Sequence, residues 1–512
     1  MAATVQISGR LLAKNWALNL LGWVVPLLVA LAAIPYVIHG LGTERFGILS
    51  IASALLVSFG LVDMGLGRAT TRFVAECLAR GEMEKLPGIV WTSLWSQMIF
   101  GVIAGVLAFA LIPVLVSRFL HISPGLEDET RNSFFILAAS LPVLLALNSL
   151  RGVLEAGQHF NVVNYVKVPT SISMFLLPAL AVPLKLHLPG IVYALVVARL
   201  AATAAYLWAC LKFFPVLRHR FSSDSRLLRP MLVYGGWVTI TNFVTPLLTY
   251  IDRFFIGSLI SMTAVGYYTA PYEAISRAWV IPGTLAQTLF PAFANLEAGG
   301  SSDRLEELCA RSLKSLLLLS GPALLLVVIF ARQILGLWLG SAFADASASV
   351  LQILALGTLV QSLALVPFSL LQGIGRADLT AKFNLLELPF YAIACWVLVR
   401  LMGLPGAALA WALRMTVDAV LLFGAAVWLK CISLRTLRGK GLQRTVLIVS
   451  VFAAFAILLW LAGWSLFVQV LLAAVLLSVF AIVAWSYVLD ARDRSLLGLV
   501  AIQVRGLLAR SK

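Results

Sequence analysis

The chain has 512 residues, of which 61% are apolar and 12% charged, with a formal net charge of +16 and a mean hydropathy of +0.98. Soluble domains are about 45–50% apolar and about 25% charged, so these few charges cannot clothe a water-exposed surface, and a soluble, disordered or collagenous chain is excluded. What remains is a protein built almost wholly for a membrane.

Fourteen stretches are long and apolar enough to cross a bilayer: 15–38, 46–67, 88–115, 133–154, 164–184, 190–212, 231–258, 265–293, 315–338, 348–371, 383–400, 405–429, 445–462 and 467–489. They are continuous runs and not ten-residue alternations, which excludes a strand barrel. The predicted fold is all-α and polytopic. The first span is longer than the apolar core of a signal peptide, and it reads as an uncleaved helix. Positive-inside bias puts both termini in the cytoplasm, because the basic loops 212–229 and 430–444 then fall inside. The high pI is therefore a topology signal. It is not a nucleic-acid footprint, since the basic residues are spread over alternate loops.

Short segments recur at near-constant offset. Gly42-Thr43-Glu44-Arg45-Phe46-Gly47 before span two is answered by Ser261-Met262-Thr263-Ala264-Val265-Gly266 before span eight. Ser149-Leu150-Arg151-Gly152 is answered by Leu370-Leu371-Gln372-Gly373, Phe160-Asn161 by Phe383-Asn384, and Leu188-Pro189-Gly190 by Leu404-Pro405-Gly406. The repeat predicts two parallel six-helix lobes around a central cavity, 1–217 and 231–430, joined by a basic linker at 218–230. A second linker, 431–444, leads to two additional transmembrane helices at 445–489 and a cytoplasmic tail at 490–512.

Charges inside spans are functional candidates, because each costs about 2.5–3.5 kcal/mol at the bilayer centre. Arg199 and Arg414 lie about 13 and 12 Å deep in spans six and twelve, at equivalent places in the repeat. A guanidinium grips phosphate with a bidentate fork, so the two suit an anion site. Arg199 has no acid in its own span, whereas Arg414 has Asp418 four residues on. Glu273 and Arg277 form a second such spacing in span eight, either a structural pair or a gating one. Asp252 and Arg253 are adjacent, so they point about 100° apart on span seven. Asp63 and Glu387 fall near span ends, where an interfacial role competes with a gating one. The candidates are Arg199, Arg414, Arg253 and Arg277 for substrate, and Asp252, Glu273, Asp418 and Asp63 for gating or ion coupling.

Other motifs carry less chemistry. Gly101 and Gly105 form a GxxxG, expected to allow close helix packing. The five cysteines have no metal or disulfide spacing. No Walker A sequence and no HExxH is present, and no cofactor or metal is expected. No outer loop exceeds about fifteen residues, which speaks against an enzyme such as an integral sugar polymerase or acyltransferase.

The segment Leu41-Gly42-Thr43-Glu44-Arg45-Phe46-Gly47-Ile48-Leu49 is followed by Leu61-Val62-Asp63-Met64-Gly65-Leu66-Gly67-Arg68-Ala69-Thr70-Thr71-Arg72-Phe73-Val74. Together they resemble the start of the polysaccharide-transporter, or oligosaccharide-flippase, family. Ile251-Asp252-Arg253-Phe254-Phe255-Ile256-Gly257, Ala264-Val265-Gly266-Tyr267-Tyr268 and Leu404-Pro405-Gly406-Ala407-Ala408-Leu409-Ala410-Trp411 extend the resemblance over roughly 10–430. It implies a fold of the multidrug/oligosaccharidyl-lipid/polysaccharide exporter superfamily. It also implies a function, the alternating-access flipping of undecaprenyl-diphosphate-linked oligosaccharide across a bacterial cytoplasmic membrane for O-antigen, capsule or exopolysaccharide. Membrane lipids and the polymerase and chain-length machinery would be its partners. The rivals are a flippase for the peptidoglycan lipid precursor and a cation–drug antiporter of the same superfamily. The antiporter would call for embedded acids without nearby basic partners, and Asp252, Glu273 and Asp418 each have an arginine within four residues.

Overall fold

The computed structural model describes residues 28–61, 66–219, 225–298, 302–433 and 440–489, and among these there is no strand. Among the described residues, nine helices are long and apolar enough to cross a membrane. The expected fourteen spans include stretches outside the described residues, so that number stands as an expectation.

The chain divides into two compact units. The first takes residues 1–274 and 384–407, and the second takes 275–383 and 408–512. The first unit holds α1 (Leu28–Leu41), α2 (Thr43–Leu61), α3 (Leu66–Arg80), α4 (Leu86–Val114), α5 (Glu127–Ala156), α6 (Phe160–Ala181), α7 (Leu188–Phe213), the short α8 (Val216–His219) and α9 (Ser225–Leu259). Nearly all of α10 (Met262–Ser276) belongs to it.

In this unit α5 is the spine, packed along α4 on one side and α7 on the other. The GxxxG explains the α4–α5 seam. A Cβ at Gly101 would lie 2.3 Å from the Pro142 Cα, and one at Gly105 would lie 2.9 Å from the Ala138 carbonyl oxygen. Between lipid-solvated helices there is little hydrophobic drive, so backbone proximity of this kind supplies the packing. Hydroxyls add to it. Thr70, Ser93 and Ser149, fully buried on α3, α4 and α5, meet at 2.6 Å for both contacts of Ser93.

The segment before span two has a physical meaning. Gly42 ends α1 at φ +87°, a conformation that side chains resist, and frees Thr43 to start α2. Glu44 then accepts the backbone N–H and hydroxyl of Ser123, both at 2.8 Å. Arg45 forms a two-pronged pair with Glu129 at 3.0 and 3.1 Å, and His187 lies 3.3 Å from the same carboxylate. One dipeptide thus ties the start of α2 to the starts of α5 and α7.

The repeated segments also touch. A Cβ on Gly47 would fall 2.0 Å from the Met262 carbonyl oxygen, and one on Gly266 would fall 2.5 Å from the Thr43 carbonyl oxygen. The openings of α2 and α10 therefore cross reciprocally, each glycine against the other helix's first carbonyl.

The second unit holds α11 (Val280–Ala298), α12 (Ser302–Ile329), α13 (Ala331–Leu339), α14 (Ser341–Gly373), the start of α15 (Ala377–Met402), most of α16 (Leu404–Trp428), α17 (Lys440–Leu461) and α18 (Leu466–Val483). Its core runs through Phe293, Cys309, Leu316, Val366, Leu370 and Ala426. A second cluster seats α17 and α18 through Phe452 and Phe480, whose rings meet edge-on at 5.2 Å. Large apolar side chains elsewhere lie open, as Phe467 does at 78% exposure, the pattern expected where lipid is the solvent.

Two expected spans are discontinuous. Span eight breaks at a 3-10 turn, Arg277–Trp279, between α10 and α11. Span nine ends at Ile329, and α13 restarts after Phe330. Each break carries a few polar residues, Glu273 and Arg277 at the first and Arg332 and Gln333 at the second, but the flanking apolar residues keep the mean hydropathy high enough for each to read as one span.

Candidate functional site

The intramembrane charges fall into three settings. The first is Arg199 on α7, partly buried in the middle of an apolar helix. Its guanidinium reaches the Met174 sulfur on α6 at 3.6 Å, and among the described residues it makes no ion pair. Neither α6 nor α7 contains an Asp or Glu. A cation without a counter-ion in a low-dielectric setting is costly, and an incoming anion would relieve that cost.

The second setting is a closed cluster at the end of α9 and along α10. Asp252 and Arg253 are 0% and 2% exposed. Asp252 accepts the Tyr268 hydroxyl at 2.6 Å and the Arg253 backbone N–H at 2.7 Å. The Arg253 guanidinium pairs with Glu273 at 3.4 Å and lies 4.9 and 4.8 Å from the ring centres of Tyr250 and Tyr272. Tyr268 and Tyr272 stack in turn at 6.0 Å. Adjacent residues do diverge as the helix demands, yet both find partners on α10, because α10 presents Tyr268, Tyr272 and Glu273 along one stretch. This cluster consumes its own charges: an acid, a cation and an acid, wrapped in three aromatic rings.

The third setting comprises charges placed apart. Arg414 and Asp418 are half-buried on α16 in the second unit, four residues apart. Arg277 opens the 3-10 turn after α10. Asp63 lies outside the described residues. Glu387 is 3% exposed and lies about 15 Å along α15 from its first residue. The reason is the start of that helix. It begins at Ala377, six residues earlier than the apolar run, where Asp378 in the first turn pairs with Arg376 at 3.0 Å. Glu387 then shares a buried stripe with Tyr391, Cys395 and Val399.

Sequence reading passed over three buried or intramembrane polar residues. Lys314 sits at the edge of the apolar run of span nine, but α12 starts at Ser302 and carries it inward. It is 4% exposed, and its Nζ donates to the Val488 carbonyl at 3.4 Å. Gln97 on α4 is fully buried, and neither atom of its amide has a hydrogen-bond partner. Lys167 on α6 is exposed within a predicted span. Each is a long polar side chain in or beside an apolar run, which was the signal available. Among the described residues no cluster could hold a metal ion.

Two family profiles match the sequence, that of polysaccharide biosynthesis proteins over residues 12–297 and MatE over 238–397. A Shigella flexneri protein described as "Putative O-antigen transporter" is 27% identical over 409 residues, 80% of this chain and 96% of that one. The "Lipopolysaccharide biosynthesis protein WzxC" of Escherichia coli K12 is 23% identical over 193 residues, 38% and 39% of the two chains. Among solved structures, a "Lipid II flippase MurJ, inward closed conformation" superposes with a TM-score of 0.72 at 12% identity, covering 91% of this chain and 98% of that one. An inward-facing multidrug resistance MATE family transporter gives 0.67 at 16% identity over 79% and 95%. At such identities the structural likeness speaks for the fold.

Proposed function

The chain belongs to the polysaccharide biosynthesis protein family, and from that premise we propose that it carries polyprenyl-diphosphate-linked oligosaccharide from the inner to the outer leaflet of a bacterial cytoplasmic membrane. The coarse activity, flipping a lipid-linked oligosaccharide, is supported by relatives described as an O-antigen transporter and as a glycan biosynthesis flippase. The diphosphate, the alternating access, both termini in the cytoplasm and a hand-over to polymerase and chain-length machinery are part of the proposal. The product feeds O-antigen, capsule or exopolysaccharide.

One observation carries this reading: Arg199, in the middle of the apolar helix α7, has a methionine sulfur as its polar neighbour and, among the described residues, no acid paired with it. A diphosphate headgroup supplies the missing charge, and a guanidinium fork matches it geometrically. Arg414 is its counterpart in the repeat. Arg253 and Arg277 are proposed as further contacts, and Arg253 can serve only if the tyrosines around it move. Asp252, Glu273, Asp418 and Asp63 are proposed gating or coupling residues. A lipophilic cation would gain nothing from Arg199, which disfavours the drug-antiporter reading.

The test is surface glycan export in a strain depending on this protein, with Arg199→Ala and Arg199→Lys at wild-type abundance. Loss of one charged contact predicts export down at least about tenfold for Arg199→Ala, with partial retention in Arg199→Lys. Undiminished export in Arg199→Ala removes the arginine and this reading with it.

A further inference from the structure

The α6–α7 hairpin holds a second cation on the same seam as Arg199. Tyr206 donates to the Val163 carbonyl at 3.1 Å, and Arg199 reaches Met174 at 3.6 Å. These two contacts fix the antiparallel register of the helices. They also identify the stripe of α6 that faces α7, running through Val163 and Met174. At about 100° per residue, Lys167 and Met174 differ by only about 20° in direction. Lys167 therefore belongs to that stripe, about 10 Å along the axis from Met174 on the Val163 side. In register it falls between the levels of Tyr206 and Arg199. Its side chain is exposed, and it makes no ion pair among the described residues.

The seam thus carries two cations in series and no carboxylate on either helix. Arg199 is the costly one of the two, since intramembrane charges are normally paired with each other, whereas Lys167 lies about 5 Å inside the start of its predicted span. Resting on the reading of Arg199 given above, we infer that Lys167 is a second substrate contact, meeting the phosphoryl groups on the cytoplasmic approach before Arg199 takes them deeper. The division of labour suits the two side chains. A lysine is a mobile point charge on a flexible stem, fit to capture a headgroup in many poses. An arginine offers a planar fork, fit to hold one pose. Both stems are long enough to converge on adjacent phosphoryl groups.

The experiment titrates the purified full-length protein in detergent with undecaprenyl diphosphate, and separately with undecaprenol, which has the tail but no charge. Lys167→Gln is expected to weaken diphosphate binding about tenfold, the loss of one charge-assisted contact. Lys167→Arg is expected within about twofold of wild type, and undecaprenol binding is expected unchanged in both. Wild-type diphosphate binding by Lys167→Gln alongside a loss in Arg199→Gln overturns the role of Lys167 and leaves Arg199 in place. Wild-type binding by Arg199→Gln overturns the underlying reading instead. Equal weakening toward both lipids, with a lowered unfolding temperature, assigns Lys167 a structural role and also overturns the inference.

Discussion

Tyr268 donates its hydroxyl to Asp252 at 2.6 Å, and both residues are fully buried. A buried carboxylate depends on such donors, because each one it lacks leaves part of its charge unsolvated. Tyr268→Phe is therefore expected to lower stability by about 1–3 kcal/mol, read as a drop in the unfolding temperature of the purified protein. An unchanged unfolding temperature would show that the bond is not needed.

Gly47 has backbone, not a flexible side chain, where its Cβ would go. Gly47→Ala must push the openings of α2 and α10 apart, at a cost of about 1–3 kcal/mol or more. Gly42→Ala meets nothing within 4 Å but is penalised by its φ of +87°. The two single variants separate crowding from backbone strain, and adding a small-to-large change at Gly266, alone and with Gly47→Ala, should show non-additive coupling because the two glycines share one helix crossing. A thermal-unfolding cycle on the four variants checks this.

Gln97 predicts the opposite sign. Its amide is buried without partners, so Gln97→Met, which fills the same volume without polar atoms, is expected to be neutral or stabilising by about 1 kcal/mol. A clear loss of stability would mean that the amide is satisfied in solution.

Burial raises the Cys77 thiol above its usual range, and the Cys77 Sγ–H donates to the Glu82 carbonyl at 2.9 Å. The thiolate is the reactive form, so a raised value keeps this cysteine protonated at pH 8 and slow toward maleimide. Labelling of a variant retaining only Cys77 should be slow in the native protein and fast after denaturation. Fast native labelling would contradict the burial.

Lys314 points a cation at the end of the last described helical turn, where carbonyls lack intrahelical donors. Lys314→Met should loosen that end first. Faster amide hydrogen exchange confined to residues near Val488, without change in α4 or α5, is the expected outcome.

The all-helical membrane fold was legible because long apolar runs are written directly in the residues. Arg199 was legible too, since a span lacking acids is visible without coordinates. The breaks at Arg277 and Phe330 were not, because the few polar residues there, Glu273, Arg277, Arg332 and Gln333, are averaged away by the apolar residues on either side. The burial of Glu387 was not, because helix α15 starts in polar sequence, where an Arg376–Asp378 pair replaces hydrophobicity as the signal. The Asp252–Arg253 cluster needed the register of α9 against α10: Tyr268 and Glu273 are distant in sequence, and only packing makes them partners.

The reciprocal contact of Gly47 with Gly266 also bears on how the gene can change. The two helix openings are each other's mould, so a bulkier residue at either glycine is rejected by the backbone of the other. Neither position can enlarge alone, because the room at each is set by a main-chain carbonyl of its partner, which no side-chain change can move aside.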